Sequence, residues 1–187
     1  MKICRYNDLV EVPWKNGGGV TREIVRRHMD DGQLVWRLSI ADVASEGPFS
    51  AFPGLQRILT VIEGEGMVLE RLTQDALAAD LFKPVAFSGD EPINGLLPNG
   101  PCRDFNVIWN PKLARATVTV FQGPKEFADS ATDESMGLLC LSGSTLLSTG
   151  QTLAPLDFAL FESKSECAHV AEDSMALLIG IAPVSKP

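Results

Sequence analysis

Trp36-Arg37-Leu38-Ser39-Ile40-Ala41-Asp42-Val43 alternates apolar and polar side chains with a period of two, the beat of a strand whose successive residues face opposite sides. Trp36, Leu38 and Ile40 take one face, Arg37 and Ser39 the other. The same beat recurs at Arg57, Leu59 and Val61; Phe105, Val107 and Trp109; Ala116, Val118 and Val120; and Leu156, Phe158 and Leu160. Turn clusters such as Glu46-Gly47-Pro48, Pro53-Gly54, Gly64-Glu65-Gly66, Pro98-Asn99-Gly100-Pro101 and Ser142-Gly143-Ser144 separate the runs, and they stop a helix before it reaches three turns. The chain therefore reads as all-β, with many short strands in a sandwich or barrel. Only residues 73–80 and 124–129 have helix-friendly composition.

The strand pattern echoes itself. Ile58-Leu59-Thr60-Val61-Ile62-Glu63-Gly64 runs into Met67-Val68-Leu69, and Leu138-Leu139-Cys140-Leu141-Ser142-Gly143 runs into Leu146-Leu147. Downstream, Pro84-Val85-Ala86-Phe87-Ser88-Gly89 is matched by Leu156-Asp157-Phe158-Ala159-Leu160-Phe161, and the stretch from Asp104 to Trp109 by that from Met175 to Ile181. Such an echo predicts one β unit used twice, back to back.

Composition removes several function classes. Sixteen basic residues stand against 24 acidic ones in 187 positions, a formal charge of −8, and no basic cluster exceeds Arg26-Arg27, so nucleic acid is not an expected partner. No apolar run approaches the ~20 residues needed to cross a bilayer, and the N-terminus has no apolar targeting core, so no membrane is expected. A soluble cytoplasmic protein is the expectation. The four cysteines, Cys4, Cys102, Cys140 and Cys167, lack zinc spacing and read as packing thiols. His28 and His169 form no ligand pair, so no metal or cofactor is expected, and no Gly-x-Ser-x-Gly elbow occurs.

Three polar clusters remain. Pro13-Trp14-Lys15-Asn16-Gly17-Gly18-Gly19-Val20-Thr21-Arg22-Glu23 reads either as a ligand-lining loop or as a tight turn between edge strands; without a following Lys-Ser or a βαβ frame it is neither a P-loop nor a dinucleotide fingerprint. Arg37 and Arg57, on neighbouring strands, could converge on a carboxylate, or each could pair with an acid such as Asp42, Glu23 or Asp104. Asp104 and Asn106 share one strand face and add an acid and an amide to the same cavity, or else face solvent. An Asp104 near two guanidiniums should be ionised.

The segment Trp14-Lys15-Asn16-Gly17-Gly18-Gly19 with Thr21 and Glu23, then Trp36-Arg37-x-Ser39-x-Ala41-x-Val43, Gly47-Pro48-Phe49-Ser50-x-Phe52-Pro53-Gly54 with Arg57, Phe87-Ser88-Gly89-Asp90 and Asp104-Phe105-Asn106 together resemble the signature of the HutD/Ves family. The likeness runs from Trp14 to Trp109, and beyond Pro111 only length and strand pattern agree. It implies a bicupin: an N-terminal cupin barrel over residues 1–110 with the ligand site, and a structural C-terminal barrel over 111–187, whose polar residues gather at Lys164-Ser165-Glu166; strand exchange between the halves fits that plan. It also implies a bacterial protein that regulates histidine utilisation and binds a small carboxylate of the N-formylglutamate or urocanate type. Carried over, the ligand site comprises Lys15, Asn16, Thr21, Glu23, Arg37, Ser39, Arg57, Asp104 and Asn106. The family often has an Arg soon after Asp-Phe-Asn, where this chain reads Val107-Ile108-Trp109-Asn110.

The leading expectation is a small-molecule binding protein, with the question of turnover left open. Its rivals are a metal-independent cupin isomerase, lyase or hydrolase with Glu23 or Asp104 as base and Lys15 as acid, and an interaction module pairing through an exposed strand edge. A homodimer is left open.

Overall fold

The structure is a computed structural model that describes residues 1–128, 135–162 and 165–184. Its described residues are almost wholly strand and turn, with a single 3-10 turn at Tyr6–Asp8. The alternating stretch quoted above becomes β4 (Leu34–Val43). In register with it lie β2 (Glu11–Pro13), β3 (Gly19–His28), β11 (Cys102–Trp109), β6 (Gln56–Glu63) and β9 (Val85–Ser88). These make a six-stranded antiparallel sheet in the order β2-β3-β4-β11-β6-β9. A four-stranded sheet joins β5 (Gly47–Pro48), β10 (Ile93–Leu96), β7 (Met67–Arg71) and β8 (Leu77–Ala79) in that order. Val43, Leu59, Val61, Phe87 and Cys102 of the first sheet pack with Met67, Leu69, Ala79 and Ile93 of the second, so apolar faces meet inside a two-sheet unit.

The chain divides into two such units. One is Val10–Ala114; the other joins Met1–Leu9 to Arg115–Pro187. The division expected at residue 110, with the N-terminus in the leading half, therefore needs one correction. The first nine residues belong with the second unit because β1 (Lys2–Cys4) pairs with β17 (Phe158–Phe161), placing Lys2 opposite Leu160. Asp157 holds the segment that follows: its carboxylate accepts the Tyr6 N–H at 3.0 Å and an Arg5 Nη1 hydrogen at 2.7 Å.

Within that second unit, β14 (Ser135–Ser142), β19 (Met175–Pro183) and β12 (Ala114–Gln122) complete a sheet in the order β1-β17-β14-β19-β12. Its partner sheet runs β13 (Lys125–Ala128), β18 (Cys167–Val170), β15 (Thr145–Leu147), β16 (Thr152–Leu153). Advance each label from β4 to β11 by eight and the strand order of the leading unit becomes that of the second: β4-β11-β6-β9 maps onto β12-β19-β14-β17, and β5-β10-β7-β8 onto β13-β18-β15-β16. The echo in the sequence is thus a repeat of strand order.

Two helix-friendly segments are not helical. Residues 73–80 form a bend and then β8, because Leu77 and Ala79 pair with Leu69 and Met67 and Ala79 is fully buried; a stretch this short nucleates no helix on propensity alone. Residues 125–128 are β13, paired with β18, while Asp129 lies outside the described residues, as does Lys164. Cys102 and Cys140 are buried packing thiols, Cys4 is half-buried, and Cys167 is exposed, unlike the packing role expected of it. Among the described residues no helix is long and apolar enough to cross a membrane.

The triple glycine closes the β2–β3 hairpin. Gly17 takes φ +72° and its N–H donates to the Trp14 carbonyl at 3.0 Å, while the Asn16 side-chain oxygen accepts the Gly18 N–H at 3.1 Å. At Gly19 a Cβ would stand 2.3 Å from the Asp42 carbonyl oxygen and 3.2 Å from the Trp14 ring, so only glycine lets β3 run this close to β4. In urea denaturation Gly19→Ala should lower stability by about 2–3 kcal/mol and Gly17→Ala by about 1 kcal/mol. Equal, small effects would discount the close approach.

Candidate functional site

Residues paired across a sheet point the same way, so the register of the six-stranded sheet fixes which polar side chains meet. One inward row reads Arg37, Ile108, Arg57, Phe87, so β11 separates the two arginines, which are not on neighbouring strands as expected; the next reads Glu23, Ser39, Asn106, Leu59; a third reads Thr21, Ala41, Asp104, Val61. The face opposite carries Trp36, Leu38, Ile40, Phe105 and Val107, all buried. Arg57 and Asp104 on the inward rows are buried, and so have little water on either side of the sheet.

Arg57 is the centre of this arrangement. It is 5% exposed, and its guanidinium carbon lies 5.3, 5.3 and 4.9 Å from the ring centroids of Phe49, Phe52 and Phe87, within range for cation–π attraction. Nη2 donates to Asn106 Oδ1 at 2.8 Å, and Nη1 reaches the Ser50 carbonyl at 3.5 Å. Asn106 in turn donates from Nδ2 to Asp104 Oδ1. Two buried atoms are left without a hydrogen-bond partner, Arg57 Nε and Asp104 Oδ2. A buried polar atom with no partner ordinarily costs about 1–3 kcal/mol; the Thr60 and Thr145 hydroxyls are buried without a partner too, but only Arg57 and Asp104 of these bring a charge to be balanced.

Burial also moves the titration of both ends. It brings Arg57 down to about 10, with Asp104 opposing the change and Arg37 adding to it, so the guanidinium stays charged at neutrality. It pushes Asp104 up to about 7, against the pull of Arg57 and of the Asn106 amide. The expectation that Asp104 is simply ionised is corrected. It is fully enclosed and reaches Arg57 through an amide instead of by direct contact, so desolvation outweighs attraction.

The other expected residues fall into two groups. Arg37 and Glu23 sit half-buried beside the first group and pair with each other, Arg37 Nε to Glu23 Oε2 at 2.7 Å. Ser39 is buried in the row of Asn106, and Thr21 faces inward while its hydroxyl accepts the Trp14 indole N–H at 2.7 Å. Lys15 and Asn16 do not join them. Both are exposed on the β2–β3 hairpin, where Asn16 serves the turn itself. Asp42 is occupied elsewhere. Burial alone would raise its carboxyl, but Arg22 and Arg103 both bind it and hold it below its ordinary value.

Sequence reasoning missed the aromatic side of the site. Phe49, Phe52 and Phe87 are quoted in the motifs yet assigned no role; the available signal was two phenylalanines three apart, five residues before an arginine that a strand turns inward. His28 and His169 are both exposed, and the described residues hold no group of three His, Cys, Asp or Glu placed for a metal ion.

Register also locates the counterparts in the second unit. Both central strands carry an irregularity, between Arg103 and Asp104 in one pairing and between Cys140 and Ser142 in the other. Aligned on it, Arg57 corresponds to Met136, Asn106 to Leu178, Asp104 to Ala176, and Phe87 to Phe161. The phenylalanine persists and the polar trio does not. There Phe127, Leu138, Cys140, Leu147, Leu153, Phe161 and Val170 form an apolar cluster, with the neutral Thr145 fully buried in the same unit.

In fold, this is an all-β protein of the cupin kind: a Cupin 2 conserved barrel domain protein from Leptotrichia buccalis matches it with a TM-score of 0.61 over 98% of this chain and 96% of that one, at 11% identity. The chain belongs to the HutD family, whose profile matches residues 6–179. A Pseudomonas putida protein described as an uncharacterized 21.2 kDa protein in the hutC 3' region is 42% identical over 135 residues, 70% of each chain. Protein Ves of Escherichia fergusonii is 34% identical over 119 residues, 62% of each. HutD from Pseudomonas fluorescens SBW25, whose structure was determined in a formate condition, superposes with a TM-score of 0.86 at 31% identity, over 98% of this chain and 99% of that one.

Asp104 has a consequence for stability. Its folded value lies above the unfolded one, so its contribution is complete at low pH and is lost as pH rises toward about 7. Between pH 5 and pH 7 unfolding free energy should fall by at most about 1.4 kcal/mol per unit from this group, and Asp104→Asn should remove that slope. Denaturant titrations at several pH values measure it, and a wild-type slope that Asp104→Asn leaves unchanged would dissociate it from this residue.

Proposed function

We propose that this chain is a cytoplasmic bicupin receptor for a small carboxylate of the N-formylglutamate or urocanate type, and that its ligand state regulates histidine utilisation. The carrying observation is a buried guanidinium with no carboxylate directly on it and an unpartnered Nε. Such a group presents a donor edge that an incoming carboxylate satisfies with charge-assisted hydrogen bonds, while the phenylalanines around it exclude water. The two-barrel plan is supported by the repeated strand order, and the purely structural role of the second barrel by Met136, Leu178 and Ala176 where the first has Arg57, Asn106 and Asp104. The hut-locus setting of the Pseudomonas putida relative and the formate condition of the Pseudomonas fluorescens HutD structure belong to those proteins and lend support to this reading here.

Arg57, more than Arg37, is the anchor. Arg37 already has Glu23, and its part is to keep the rim from being negative. The enzyme alternative needs Lys15 as an acid beside Glu23 or Asp104, and the placement of Lys15 on an exposed hairpin, with Glu23 tied to Arg37, counts against it.

A ligand with Kd near 1 µM draws on about 8 kcal/mol. In calorimetry with N-formylglutamate or urocanate, Arg57→Gln should weaken binding about 100-fold, and Arg37→Gln, which leaves Glu23 with the more exposed Arg26 as its basic partner, less than about tenfold. Undiminished heats from Arg57→Gln would remove the anchor and the reading with it.

A further inference from the structure

We propose that Asp104 is the resident counter-charge of the Arg57 site, so that a carboxylate ligand enters together with a proton that Asp104 takes up. The inference rests on the receptor reading above and adds to it a rule for when the receptor fills. The geometry is a chain of three: Arg57 Nη2 donates to Asn106 Oδ1, and Asn106 Nδ2 donates to Asp104 Oδ1. These two contacts fix the amide's orientation. They leave Asp104 Oδ2, enclosed and unpartnered, as the atom where a proton can sit without breaking the chain.

One buried guanidinium balances one anion. While the site is empty of ligand, ionised Asp104 is the only carboxylate whose charge reaches Arg57 through this chain. When a ligand carboxylate settles on Arg57, a second negative charge in the same water-poor core would go unmatched, and it is cheaper for Asp104 to bind a proton from solvent. The balance is then one anion and one proton in, no net change in buried charge. The other titratable and charged groups around Asp104, on both faces of the sheet, do not supply that proton in the physiological range. Arg37 from β4 is paired with Glu23 from β3, and Asp42 from β4 is held ionised by Arg22 and Arg103. Cys102 on Asp104's own strand is pushed up to about 12 by burial, while the facing sheet contributes Met67, Leu69, Ala79 and Ile93 to this core. The titration of Asp104 near 7 puts the exchange within reach of ordinary pH.

N-formylglutamate, whose carboxylates stay ionised throughout, is the probe for titration calorimetry at pH 6, 7 and 8 in buffers of different ionisation enthalpy. Wild-type protein should bind about tenfold more weakly at pH 8 than at pH 6, with buffer-dependent heats that correspond to nearly one proton taken up at pH 8. Asp104→Asn should bind with a pH-independent Kd and no buffer dependence. Should that variant fail to fold, the carboxyl carbon resonance of Asp104 in wild-type protein reads the same event: saturating ligand should keep it in the protonated position at pH 8. Binding with a flat pH profile and no proton uptake would overturn the coupling and leave the receptor reading standing. An Asp104→Asn protein that retains the tenfold slope would overturn it too. No binding by wild-type protein even at pH 6 would overturn the receptor reading, and the coupling with it.

Discussion

The leading unit is organised around a positive charge held out of water. Arg57 lies under three phenylalanine rings, 5% exposed, with an amide and a backbone carbonyl as its hydrogen-bond acceptors and its nearest internal carboxylate one residue removed through Asn106. Taking a guanidinium out of water is costly unless it is paired. Here the aromatic faces and the relayed carboxylate offset only part of that cost. The rest of the inward face is arranged so that it does not add to the problem: Arg37 is paired with Glu23, and Leu59, Val61 and Phe87 make the β6–β9 end of the rows apolar.

The repeat of strand order makes the second unit an internal control. The same scaffold, with the same irregularity in its central strand and a phenylalanine in the matching place, carries Met136, Leu178 and Ala176 at the positions of Arg57, Asn106 and Asp104. Its core needs no ion and leaves no question of charge balance. The fold therefore does not require the polar trio, and a trio that the fold does not require, bearing two unpartnered buried atoms, is where a ligand is to be sought.

Much of this was legible in the residues. Period-two alternation gave the strands, because a strand's two faces differ in what they touch, and the register of β4, β6 and β11 carried Arg37, Arg57, Asp104 and Asn106 to the one inward face their alternation had assigned. The triple glycine was ambiguous. Lys15 and Asn16 look positionable beside it, yet the glycines answer to backbone needs, a left-handed residue at 17 and the approach of Asp42 at 19. Residues 73–80 and 125–128 have helix-friendly composition and became edge strands, since a paired sheet edge offers hydrogen bonds that a lone turn of helix does not.

By itself the sequence determined the strand class, the faces and the internal repeat, because these follow from local alternation and turn chemistry, which each short segment carries within itself. Tertiary structure alone decided that Met1–Leu9 joins the second unit, that Phe49, Phe52 and Phe87 close over Arg57, and that Asp104 meets it only through Asn106. Those outcomes depend on distances between residues far apart in the chain and on how much water is left between them, and neither quantity is written in any one segment.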